Sequence, residues 1–212
     1  MKWSDEYWPL IIQLYKKKPE GVKPLYSKDL VSVSLCLHIQ PKELHKKLQD
    51  LRKLDTPFIQ HLWEDLTSNP RKLNKAVKTI KERQGLGNAG EFYDGVETNE
   101  SFELDFRPLE AEKRLMPIHL IMILNLYFQL TPTTMVAETE EIQELSKFLK
   151  LPDSLILEVM EIFQFCDPYL NRDDFMIHPL LFDCQDIWKR FGNDDTEKLE
   201  ALAAQLKEYF RV

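Results

Sequence analysis

The sequence predicts an all-α protein: two tandem, related helical units joined by a glycine-rich, acidic connector with a little extended structure. Three observations lead there. Apolar residues recur at spacings of three and four through most of the chain, the period of a helix with one buried face. Thr56-Pro57, Asn69-Pro70 and Asp167-Pro168 each set a capping oxygen just ahead of a proline, and the first helical position is where the missing N–H costs least. Finally, residues of the first half return in the second at nearly constant offsets.

Leu14 and Tyr15 return 112 positions later as Leu126 and Tyr127. Pro41, Leu44, Leu48 and Leu51 return 111 later as Pro152, Leu155, Val159 and Ile162. Trp63 returns 125 later as Trp188, and Lys81-Glu82 return 126 later as Lys207-Glu208. The step from 111 to 125 places about fourteen extra residues in the second half, near 171–184. Internal repetition on this scale points to docking or binding architecture before catalysis.

Taken in order, Trp8, Ile11, Ile12, Leu14 and Tyr15 predict a first helix that Pro19 and Pro24 close. Ser27 is placed to cap a second helix through Leu37, and Pro41 opens a third with Leu44, Leu48 and Leu51 on one face. Pro57 and Pro70 open the fourth and fifth, the last lining up Leu73, Val77 and Ile80 as far as about Arg83. Residues 85–113 hold four of the six glycines, and Ser101 to Phe106 alternate strictly. That period of two predicts a strand or extended strip, with Phe102, Leu104 and Phe106 packed against a helical unit. Helices follow at 115–131, 138–149, 153–165 and 195–211, around a divergent stretch from 168 to 191. The domain reading is therefore a unit at 1–84, a connector at 85–113 and a second unit at 114–212.

With 212 residues and 43% apolar content, the chain can bury one large or two small cores. It contains no run of eighteen apolar residues, so no transmembrane helix and no membrane partner are expected. The short apolar stretch near the start precedes Lys16, Lys17 and Lys18, the reverse of a signal peptide's order. Cys36, Cys166 and Cys184 are an odd number without CxxC spacing, which suggests neither a disulfide framework nor a thiolate zinc site. A cytoplasmic setting fits best. Charge is divided unevenly: residues 1–84 carry 17 Lys+Arg against 10 Asp+Glu, and the rest carry 11 against 25. Such a split concerns partners and not fold.

Catalytic patterns are missing. There is no P-loop, GxGxxG, GxSxG or HExxH, and the five histidines are scattered. Cys166, Asp173, Asp174, His178 and Cys184 crowd the extra stretch of the second half, but in no metal-ligand spacing. We therefore expect no enzyme, no cofactor and no metal.

Leu30 and Ser34 on one helix, Leu37 and Ile39 beside a turn, and Leu44, Leu48 and Leu51 on the next helix form a pattern from Asp29 to Leu54. It resembles the helix-turn-helix superfamily, in the version found in winged-helix proteins, over 26 of the 212 residues. His38 stands where the turn often has glycine, and no clear wing hairpin follows. The resemblance implies that the second helix enters a major groove, with Lys42, Lys46 and Lys53 at phosphates and His45 and Gln49 at base edges. Lys16 to Lys18, with Lys23, would either extend that surface or form a solvated helix end.

At the same place in the second half stand Asp153, Ile156, Leu157, Glu158, Met160, Glu161 and Phe163. This apolar, acidic face repels phosphate. It reads as a helix buried against a neighbour or as a protein-contact surface formed by Ile156, Leu157, Met160 and Phe163. The carboxylates of Glu91, Asp94, Glu97, Glu100, Glu103 and Asp105, interleaved with aromatics, either cover the basic half or solubilise a linker. The expected function is that of a non-enzymatic binding protein for duplex DNA. The alternative is a protein-interaction scaffold that takes another protein or a second copy of itself.

Overall fold

A computed structural model describes residues 3–86, 101–170, 176–193 and 195–211. Its described residues form eleven α-helices and no strand, so the protein is all-α. The chain divides into two compact units with the boundary between Glu100 and Ser101. The segment from Ser101 to Lys113 therefore belongs to the second unit and not to a separate connector.

The first unit begins with a 3-10 turn, Asp5–Tyr7, whose cap Ser4 accepts a hydrogen bond from the Glu6 N–H at 3.4 Å. Five helices follow: α1 (Trp8–Lys16), α2 (Lys28–Leu37), α3 (Pro41–Lys53), α4 (Pro57–Ser68) and α5 (Pro70–Leu86). Leu10, Ile11, Ile12 and Leu14 of α1 are all buried, so α1 is the central rod of the unit. The other four helices pack on it. Leu30, Leu37, Leu44, Leu48, Leu51, Ile59, Leu66, Leu73 and Val77 complete the core. Burying each such side chain contributes about 1.5–3 kcal/mol.

The proline-led starts of α4 and α5 are as predicted. Thr56 Oγ1 accepts from the Ile59 N–H at 3.3 Å, and Asn69 Oδ1 accepts from the Lys72 N–H at 3.1 Å. Ser27 marks the start of α2, but its hydroxyl makes no capping bond and is buried without a partner among the described residues.

The second unit is also built around one buried helix. Its helices are α6 (Ser101–Asp105), α7 (Pro117–Gln129), α8 (Glu140–Leu149), α9 (Asp153–Cys166), α10 (Leu181–Ile187) and α11 (Thr196–Phe210). A π-helical turn, Trp188–Gly192, continues α10. Here α7 is the central rod, buried on nearly every side and packed by α8, α9, α10 and α11. Its entry is fastened by His119, whose Nδ1 accepts from the Met116 N–H at 3.0 Å. Burial lowers the pKa of this histidine to about 4, which keeps Nδ1 free to accept. No helix among the described residues is long and apolar enough to cross a membrane.

Three expectations need correction. Ser101 to Asp105 is a helix and not an extended strip. Helical winding turns Glu103 and Phe106 inward, leaves Leu104 63% exposed and lets Arg107 pair with Glu103 at 3.3 Å. A strict alternation over so few residues also satisfies helical i, i+3 and i, i+4 pairing, and here those pairings win. Asp167 opens no helix; its carboxylate accepts from the Tyr169 N–H at 2.9 Å and from the Tyr127 hydroxyl at 2.8 Å. Finally, Ile156, Met160 and Phe163 are each 0% exposed. They are core side chains and offer nothing to a partner, while Leu157 is half-buried. Because α9 is apolar on most sides, periodicity alone could not separate its core face from a contact face.

Candidate functional site

In α3, Leu44, Leu48 and Leu51 face the core, and Lys42, Lys46, Gln49 and Lys53 are exposed. At about 100° per residue, these four exposed positions fall within about 60° of one another and opposite the leucines. They make a stripe about 16 Å long. His45 borders it, half-buried, with Nδ1 at 3.4 Å from Gln49 Nε2. Burial lowers the His45 pKa.

The turn before α3 is tight. His38 adopts φ 54° and ψ 39°, and the Ile39 N–H reaches the Ser34 carbonyl at 3.1 Å. Histidine thus takes the left-handed conformation that glycine would otherwise supply. Ser34 is fully buried where the chain passes from α2 to α3.

Three other cations of this half, Lys47, Lys23 and Lys17, are committed elsewhere. Lys47 lies 5.0 Å from the Trp3 ring centroid and 5.6 Å from that of Trp8. Asp5 holds both indoles, accepting from Trp3 Nε1 at 3.2 Å and from Trp8 Nε1 at 3.1 Å. Lys23 is buried, with Nζ bonded to the carbonyls of Lys17 and Pro19 at the end of α1. Lys17 pairs with Asp29 at 2.7 Å. Neither Lys17 nor Lys23 extends the α3 stripe.

The second unit has no counterpart of that stripe but has a groove of its own. Met122, Asn125, Leu126 and Gln129 of α7, Glu141, Glu144, Leu145 and Phe148 of α8, and Ala203 and Lys207 of α11 enclose about 340 Å³. A smaller groove of about 70 Å³ lies in the first unit, lined from α1 (Leu10, Gln13, Leu14) and Lys17 just after it, α2 (Asp29, Ser32, Val33, Cys36) and α5 (Lys81). Every α1 and α2 position, moved on by 112, lands on a lining residue of the larger groove, and Lys81 moved by 126 lands on Lys207. The sequence reading overlooked these residues, although the same offsets relate them.

Side chains near the extra stretch of the second unit serve the fold. His178 Nδ1 accepts from the Leu180 N–H at 3.1 Å, and Nε2 lies 2.8 Å from Glu158 Oε1. Burial pushes the Cys166 thiol up to about 11 and raises that of Cys184 further. Asp173 and Asp174, like Glu91, Asp94, Glu97 and Glu100, lie outside the described residues. Among those described, no group of three or more His, Cys, Asp or Glu is placed to hold a metal. No protein-family model, curated protein or solved structure matches this chain.

Proposed function

We propose that this is a duplicated, non-enzymatic binding protein whose first unit holds duplex nucleic acid through α3. The observation that carries the reading is the exposed stripe of Lys42, Lys46, Gln49 and Lys53 opposite a fully buried leucine face. Lys42, Lys46 and Lys53 neutralise phosphates, and His45 and Gln49 reach base edges. The helix-turn-helix resemblance gains support from the three-residue turn and from the left-handed His38.

Duplication is supported by matched geometry inside each unit. Tyr15 meets Trp63 edge-on at 5.6 Å, and Tyr127 meets Trp188 edge-on at 5.8 Å. His38 and Lys150, 112 positions apart, share the left-handed helix exit, and Ser34 and Ser146 supply the accepting carbonyls.

The test is anisotropy of a labelled DNA duplex with the full chain, between about 50 and 200 mM salt. Affinity should fall by about 0.9 in the log–log slope for each phosphate neutralised, and Lys46→Gln should reduce that slope by about 0.9. No retention at low salt, or an unchanged slope in the variant, rejects the reading.

A further inference from the structure

We propose that the larger groove, between α7, α8 and α11, is a docking site for a basic amphipathic peptide segment that seats one apolar side chain on its floor. The floor is apolar: Leu126, Leu145 and Ala203 are 6%, 9% and 1% exposed. The half-buried ring of Phe148 forms a wall. On the rim, Glu141 and Glu144 stand one turn apart on α8, both exposed and without an ion-pair partner among the described residues.

The first unit shows what is special about this place. There Lys17, just past the end of α1, pairs with Asp29 of α2 at 2.7 Å, and both line the groove. The matching residues of the second unit are Gln129 and Glu141, which form no such bridge, and a second carboxylate, Glu144, replaces Ser32. The wider groove therefore has a glutamine where the smaller has Lys17, and one more acid. Lys207 is matched by Lys81 and does not distinguish the two.

A volume of about 340 Å³ lies at the small end of ligand sites, which run from about 300 to 1,000 Å³. It suits one leucine or aromatic side chain presented by a larger body. Carboxylates one turn apart on α8 match arginines or lysines one turn apart on a docked helix, the arrangement of helix-in-groove recognition. The groove belongs to the second unit, and its occupation is independent of the nucleic-acid reading.

The test uses the full chain and a fluorescein-labelled synthetic helical peptide with two arginines one turn apart and one leucine on the same face. Glu141→Gln with Glu144→Gln should weaken binding at least about tenfold. Both side chains are exposed, so circular dichroism and duplex retention should be unchanged by this pair of substitutions. Gln129→Lys supplies the missing cation opposite Glu141 and should weaken the peptide likewise. The proposal is overturned by wild-type protein that ignores the peptide at millimolar concentration, or by equal binding to the variants. Equal binding of a version with glutamate in place of arginine overturns it too. Displacement of the peptide by a simple alkylamine at matched concentration would assign the groove to a small molecule. A dimer of the chain that dissolves on Glu141→Gln and Glu144→Gln would assign it to a second copy.

Discussion

One groove is bridged by an ion pair and the other is open, although both have buried apolar floors and, Ala203 aside, their lining residues correspond position by position. The Lys17–Asp29 bridge is half-exposed, with side chains 50% and 44% accessible. Pairs this wet contribute only about 0–1 kcal/mol. Whether a groove is bridged can thus change with little effect on folding.

The largest effect expected from the comparison falls on the two tryptophans. Trp188 is buried and meets the rings of Tyr127, Phe128 and Phe163, whereas Trp63 is half-buried and meets Tyr15. Trp188→Ala should cost about 3–5 kcal/mol, and Trp63→Ala clearly less. Urea denaturation of the two variants checks this, and equal losses would break the comparison.

Next comes pH. In the second unit His119 is held neutral with its pKa lowered from 6.5 to about 4. Unfolding restores the higher pKa, so the unfolded chain binds the proton first. Stability is complete above about pH 6.5, falls as pH drops toward 4 and then levels, for a loss of about 3 kcal/mol. The place 112 residues earlier is Tyr7, which has no imidazole. His119→Leu should lower stability at neutral pH and flatten the acid-side decline in denaturant midpoints.

Gly192→Ala should cost about 1–3 kcal/mol, because an added Cβ would lie 2.6 Å from the Trp188 ring. Thermal unfolding measures it, and an unshifted midpoint would mean that the π-helical turn gives way cheaply.

The smallest contrast is between two serines at matching positions. Ser146 Oγ donates to the Leu151 carbonyl at 2.6 Å, whereas Ser34 Oγ is buried with no hydrogen-bond partner among the described residues. Ser146→Ala should cost about 1 kcal/mol, and Ser34→Ala should be neutral or slightly stabilising. Calorimetry of both variants should give shifts that differ in size and, at the clearest, in sign.

Much of the fold was legible because local signals agreed with tertiary need. Pro41, Pro57 and Pro70 each stand at the first residue of a helix, and the Leu44, Leu48, Leu51 stripe is buried as its spacing requires. The exposed cations of α3 followed from the same spacing. What escaped the sequence depended on contacts between distant helices. Nothing local tells that Lys47 is drawn under two indoles or that Lys23 turns inward to carbonyls. Nor does it tell that Ile156 and Met160 meet core and not solvent, because α9 is apolar on too many sides to show a stripe. The open groove is subtler still. Its signal was a loss, Gln129 where a lysine had an acid to meet, visible only when both units are laid side by side.

Trp3 and Trp8, pinned by Asp5 and lying against the Lys47 ammonium, have one further consequence. Lys47 belongs to α3, adjacent in sequence to Lys46 of the exposed stripe. Any body that settles on α3 and shifts Lys47 changes the electric field at two indoles. The protein therefore carries its own fluorescent gauge of events on that helix, readable in intrinsic emission without an attached dye.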